Sequence, residues 1–246
     1  MKIKIINPNT TLEMTDSIRK VAESVCDSDT ELLVVSPEIG PASIEGYVDE
    51  YMAALGVVDE VIKGDKENCD AYIIACFGDP GLQAAREATD KPVLGIAESA
   101  MSVAKVIAPY FSILSVLDRS VKVTDDLVEA YGCKEFCRSI RSTGLDVLEF
   151  GKNPEKGLAA LTEQGMKAIN EDGAECILLG CAGFVDFVES LNKELGVPVI
   201  DGVSPAVKLA EAYVKLGIKT SKVNTYKYPE KKDVVGFTRI KEGLYL

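Results

Sequence analysis

The hydrophobic positions of this chain fall into short continuous runs separated by amphipathic stretches. IKIINP (3–8), ELLVVSP (31–37), AYIIAC (71–76) and KPVLGI (91–96) each read as a β-strand bounded by turn residues. The same succession returns in YFSILSVL (110–117), CRSIRSTG (137–144), ECILLGC (175–181) and VPVIDG (197–202), of which CRSIRSTG is the weakest. Helical spacing fills the gaps. Thr10 and Glu13 form a T-x-x-E capping signature for a helix over about 11–25. Met52, Leu55, Val58 and Val61 share a helical stripe, and further helices fit 98–108, 121–131, 154–172, 184–195 and 204–216. Continuous rather than alternating apolar runs suit parallel strands covered on both faces. The pattern therefore predicts an α/β protein of two pseudo-symmetric doubly wound lobes, each with a mostly parallel sheet, around a cleft. Residues 1–97 plus 207–246 form the first lobe with the C-terminal tail, and 98–206 the second. The polar stretch 219–237 lies along the surface, with Lys219 and Lys222 solvated.

The repeat extends to single residues. AYIIACFGDP (71–80) and AECILLGCAGF (174–184) both run from an apolar strand to a small residue, then Cys, one residue, and Gly. Cys76 and Cys181 are 105 residues apart, Gly78 and Gly183 keep that offset, and Pro92 and Pro198 differ from it by one. Each half thus presents a thiol at the carboxyl end of a buried strand, where open α/β sheets bind ligands. Either cysteine alone is more often a packed core residue; the matched setting favours function. At a strand-to-helix turn, free backbone N–H groups stabilise a thiolate and hold a carbonyl oxygen as it gains negative charge. The glycines let the backbone approach a ligand and adopt conformations closed to other residues. Asp79 reads most simply as a helix cap, with Pro80 at the first helical position.

Composition narrows the chemistry. The chain has 246 residues, 47% of them hydrophobic, which is enough for a sizeable core. Its formal net charge of −12, with no basic cluster, argues against nucleic-acid binding. No run approaches the ~20 apolar residues of a membrane helix, and MKIKIINPN reads as a strand and turn rather than a signal peptide. A cytoplasmic protein is expected. Histidine is absent, so Ser-His-Asp and Cys-His chemistry and histidine-bound zinc are excluded, and any general base is Cys, Asp, Glu, Lys or Tyr. Seven cysteines without a secretion signal suit reduced thiols. No G-x-G-x-x-G or P-loop motif supports nucleotide binding.

NPNTT (7–11), GPASIEG (40–46), ACFGDPGL (75–82), LGCAGF (179–184) and KTSK (219–222) together resemble the hydantoin racemases, including allantoin racemases, of the aspartate/glutamate racemase superfamily. The resemblance runs along nearly the whole chain. It implies racemisation by two cysteines, matching Cys76 and Cys181, with no cofactor and no metal, in a homo-oligomer acting on a small ring substrate. It also implies that Asn9, Ser43, Ile44, Gly78, Ala182 and Gly183 lie near the ring. Amino-acid racemases of the superfamily follow their cysteines with Asn-Thr or Thr; here Phe-Gly and Ala-Gly follow, which favours a neutral planar ring over a zwitterion. Arylmalonate decarboxylases keep one catalytic cysteine, and this chain has both. The alternatives are an amino-acid racemase, a maleate-type isomerase, or a non-catalytic ligand-binding relative.

Overall fold

A computed structural model describes residues 1–244, so the expected boundary at 246 lies outside the described residues. Eight strands form two parallel four-stranded sheets of identical order. The first contains β1 (Lys2–Ile6), β2 (Glu31–Val35), β3 (Ala71–Ile74) and β4 (Val93–Gly95) in the order β2-β1-β3-β4. The second contains β5 (Phe111–Ser115), β6 (Cys137–Ser142), β7 (Cys176–Leu179) and β8 (Val199–Ile200) in the order β6-β5-β7-β8. The expected two-lobed α/β architecture is what the chain adopts. Central strands β3, β5 and β7 are buried at every position, whereas edge strand β6 is half-buried, which is why its apolar run is the weakest. In each sheet the order reverses between the first strand and its inner neighbour, so a crevice opens beyond the carboxyl ends of β1 and β3, and of β5 and β7.

The helices are α1 (Leu12–Val25), α2 (Tyr47–Lys66), α3 (Leu82–Ala88), α4 (Ile96–Ile107), α5 (Asp118–Ala130), α6 (Glu149–Lys152), α7 (Pro154–Asn170), α8 (Val188–Leu195), α9 (Val203–Lys215) and α10 (Thr238–Leu244). Helices α4 and α9 pack on each other, and one continuous core joins the sheets through them. Ala97, Ala100 and Ala104 recur at helical spacing on α4, with Ala206 and Ala210 on α9, all fully buried. Small side chains at these positions let the two helices approach closely. The same core takes in Ile3, Ile5 and Ile73 of the first sheet and Phe111, Ile113 and Leu178 of the second. The lobes are joined through this shared core, which sets their relative position.

Several local expectations change. Helix α1 starts at Leu12 with Thr11 at its cap and no side-chain cap bond. Thr10 Oγ1 instead donates to Pro41 O at 3.3 Å and Thr11 Oγ1 to Ala42 O at 2.7 Å, so these threonines fasten the long loop 36–46. On α2, Val57 and Val61 are fully buried, but Met52 is 49% and Leu55 38% exposed; the first turns of this helix stand clear of the sheet. Lys222 is not solvated: its ammonium donates to Arg86 O (2.7 Å), Glu87 O (3.1 Å) and Tyr226 O (3.0 Å), satisfying carbonyls at the end of α3. Lys219 pairs with Asp90 at 2.6 Å. Lys4, in the middle of β1, is fully buried between Glu60 (2.9 Å) and Glu67 (2.8 Å). No helix of the described residues is long and apolar enough to cross a membrane.

Candidate active site

Cys76 stands two residues beyond β3 and Cys181 two residues beyond β7, at the crevice of each sheet. Both thiols are partly exposed and line one cavity between the lobes. Its other walls include Ile44, Glu45 and Gly46 from loop 36–46, Glu50 from α2, and Ser115 and Ser120 of the second lobe. The cavity measures about 50 Å³. Glu45 ties the loop across the cleft: Ser120 Oγ donates to its backbone O at 3.0 Å, and the Val147 N–H to its Oε1 at 3.2 Å.

The two thiols are held by different turns. After Cys76 the chain folds so that Asp79 N donates to Cys76 O at 2.9 Å, with Asp79 at φ +44°. Asp79 does not cap α3, whose cap residue is Gly81. Its carboxylate reaches the start of α4, accepting from Ala97 N (3.1 Å) and Glu98 N (3.0 Å), and also accepts from Tyr131 Oη (2.8 Å). Bonds of this kind at a helix N-terminus hold a carboxylate favourably, and here they anchor the Cys76 turn to both lobes. After Cys181 the chain enters a 3₁₀ turn, Ala182–Phe187, before α8, rather than a single helix over 184–195. The thiol itself caps that turn, its Sγ accepting the Gly183 N–H at 3.4 Å.

Electrostatics follow from these surroundings. Burial pushes the Cys181 thiol up to about 11, with the Gly183 N–H opposing and Glu45 adding. Cys76 is pushed up further by burial; the Gly78 N–H opposes, while charge on Cys181, Glu50 and Asp79 raises it more. The influence of Cys181 on Cys76 is what two sulfurs facing one hollow produce. Asp79 is raised to about 7, chiefly by burial, against the donors at Glu98, Tyr131 and Ala97. Glu50 is also raised to about 7, by burial and then by Asp79 and Asp49.

Of the residues singled out in the sequence, Cys76, Cys181, Ile44 and Gly78 line the cavity. Asn9, Ser43, Ala182 and Gly183 do not. Asn9 is buried in the turn after β1: its Oδ1 accepts from Asn7 Nδ2 (3.0 Å) and Thr11 N (2.9 Å). Ser43 precedes Ile44 in the loop and is half-buried; Ala182 is buried behind Cys181. Neither Gly78 nor Gly183 has a left-handed backbone. A side chain on Gly78 would collide with the carboxylate of Glu50, so this glycine admits a neighbouring acid rather than an unusual φ. Glu50, Ser115 and Ser120 escaped the sequence reading because each sits in a helix or strand that reads as ordinary solvated or packed structure. Among the described residues, no three His, Cys, Asp or Glu side chains are placed to hold a metal ion.

Residues 3–210 match the model of the Asp/Glu/hydantoin racemase family. The chain belongs to that family. A hydantoin racemase of Pseudomonas sp. (strain NS671) is 56% identical over 236 residues, 96% of this chain and 95% of that protein. Among solved structures, an allantoin racemase from Klebsiella pneumoniae superposes with a TM-score of 0.94 at 42% identity, covering 97% of this chain and 98% of the other. An allantoin racemase from Pseudomonas fluorescens gives 0.93 at 38% identity, covering 96% and 100%. Family membership accounts for the two sheets of identical order and makes this chain an isomerase of the racemase type.

Proposed function

We propose that this racemase inverts C5 of 5-substituted hydantoins, with allantoin as one such substrate, by proton transfer between Cys76 and Cys181. The observation that carries this reading is the meeting of both thiols in one cavity at the two equivalent strand ends. The C5 hydrogen of a hydantoin lies beside the C4 carbonyl. One cysteine, as thiolate, takes that proton, and the electron pair passes into the ring as an enolate. The other cysteine, as thiol, returns a proton to the opposite face. The pair ends with its proton on the other sulfur, and the reverse reaction exchanges the roles. General acid–base transfer is worth ~10²–10⁴-fold; ring positioning and the backbone N–H groups beside each sulfur supply the remainder.

Both thiols are raised, so at neutral pH the free pair holds both protons most of the time and the one-proton form is a minor fraction. Racemisation therefore accelerates with alkali. The test is polarimetry of single enantiomers of 5-benzylhydantoin, 5-isopropylhydantoin and allantoin under reducing conditions, with aspartate, glutamate and maleate as controls. Loss of rotation with a ring substrate supports the reading. Turnover confined to the amino acids or maleate overturns it in favour of the corresponding relative.

A further inference from the structure

Glu50 is the cavity-lining residue whose carboxylate the fold leaves without a partner. It sits in the first turn of α2, its backbone N bonded to Gly46 O at 3.1 Å. Neighbouring Asp49 turns back to accept the Glu45 N–H at 3.1 Å and is spoken for. Glu45 accepts the Val147 N–H. Glu50 accepts no side-chain or backbone hydrogen bond and joins no ion pair among the described residues, yet it is half-buried and lies against Gly78, two residues from Cys76. The residues lining the cavity include the acids Glu45 and Glu50 and no Lys or Arg. A buried carboxylate without a donor is costly, and the glycine at 78 makes room for it.

Resting on the racemase reading above, we propose that Glu50 selects the closed, uncharged ring: its carboxylate accepts a ring N–H and repels any ligand that carries a carboxylate at the position of the ring carbonyl. A hydantoin presents N–H groups beside its carbonyls. The ring-opened N-carbamoyl amino acid keeps the same substituent but exposes a carboxylate, and a free amino acid does likewise. No Lys or Arg lines the cavity, the Arg119 guanidinium packing against Gly46 without lining it, so that second negative charge meets Glu50 in a medium of low dielectric. Glu50 thus adds, from the first lobe, an active repulsion of carboxylates to the neutral residues next to the cysteines, Phe-Gly and Ala-Gly.

The probes are 5-benzylhydantoin as substrate and two competing ligands, N-carbamoylphenylalanine and its uncharged amide. At about pH 8.5, where Glu50, raised to about 7, is mostly ionised, we expect the amide to inhibit the wild-type enzyme at least about tenfold more tightly than the carboxylate, the size of one charged hydrogen bond gained or lost. In Glu50→Gln, which keeps shape and removes charge, the carboxylate's inhibition constant falls about tenfold and KM for the hydantoin rises several-fold. Glu50→Asp keeps the charge and retains rejection of the carboxylate. Equal inhibition of the wild type by amide and carboxylate overturns the proposal, and needs no variant to be folded. So does a folded Glu50→Gln enzyme with an unchanged inhibition constant for the carboxylate. A wild-type enzyme that leaves the hydantoin's rotation untouched overturns the racemase reading instead, and calorimetric binding of the same two ligands then decides the role of Glu50.

Discussion

Each thiol is raised by burial and has a backbone N–H two residues on that opposes the rise, Gly78 for Cys76 and Gly183 for Cys181; the charges differ, Cys181, Glu50 and Asp79 acting on Cys76 and Glu45 alone on Cys181. The strand order and the strand-end position of the sulfur are the same in both lobes. Chain topology has been duplicated, whereas the charges around each sulfur have not. One side donates a backbone N–H directly to sulfur at the mouth of a 3₁₀ turn. The other gathers acids and carries its turn on Asp79. These surroundings lead us to expect that Cys181 is the easier thiolate and Cys76 the better-kept acid.

The most severe way to break this comparison is to remove either sulfur. Cys76→Ser and Cys181→Ser each lower racemisation at least ~10³-fold, within the range spanned by general acid–base catalysis. Both side chains are only partly buried, so circular dichroism and urea midpoints stay close to wild type. Each variant keeps C5 deuterium exchange with the one enantiomer whose proton faces the remaining cysteine. Normal racemisation by both variants means that the two turns are not a pair.

The second test separates how the lobes hold equivalent helices. Helices α4 and α9 follow β4 and β8. Asp201, just before α9, caps it by accepting Ser204 N at 2.7 Å. Helix α4 is capped by Asp79 from the Cys76 turn, which also takes Tyr131. Asp79→Ala strands two N–H groups and a hydroxyl, at about 1–3 kcal/mol for a buried unsatisfied group. We expect about 3 kcal/mol lost in urea unfolding, together with a roughly tenfold fall in racemisation as the Cys76 turn loosens. Asp201→Ala loses one cap, about 1 kcal/mol, and leaves turnover near wild type. A small effect at Asp79 would show that the Cys76 turn stands without its anchor.

The fold was legible because buried parallel strands write themselves as continuous apolar runs, and because the second half repeats the first down to the spacing of Cys and Gly. The site was legible only where a motif repeats. Cys76 and Cys181 come as a pair, but Glu50 lies on an amphipathic helix and looks like any solvated acid until α2 is laid against Gly78. Thr10 and Glu13 form a correct capping pattern, yet carbonyls of a distant loop claim the threonines. Lys222 reads as a surface charge because two of the three carbonyls that it satisfies, those of Arg86 and Glu87, are more than a hundred residues away in sequence. In each case a tertiary partner outcompetes the local one, and local sequence cannot name that partner.

A subtler test concerns the small residue before each cysteine. Ala75 N donates to Ile6 O and Gly180 N to Leu114 O, both at 2.8 Å, so the two sites are backbone equivalents. A Cβ on Gly180 would lie 2.5 Å from Leu114 O and 3.0 Å from Ile113 Cγ2. Leu114 O cannot retreat without giving up that bond. Gly180→Ala is expected to cost about 2 kcal/mol in urea unfolding, as overpacking of a tight core does, while Ala75→Gly costs about 1 kcal/mol. Equal costs would mean that the strand ends pack alike and that the asymmetry stops at charge.

The smallest effect expected is also the one that reads the charge asymmetry directly. Alkylation by iodoacetamide needs the thiolate, so its rate follows each sulfur's ionised fraction. Cys181 is raised to about 11 and Cys76 lies higher still, held there by burial and by the charges of Glu50 and Asp79. Below both midpoints the lower thiol holds the larger thiolate fraction, so at pH 8 Cys181 reacts faster than Cys76, read by peptide mass mapping. Its rate climbs about tenfold per pH unit and levels off near pH 11. Glu50→Gln removes one of the charges that hold Cys76 up and narrows the gap from that side. If Cys76 is alkylated first, the acids beside it act in the opposite sense from that argued here, and the assignment of resting acid and resting base must be exchanged.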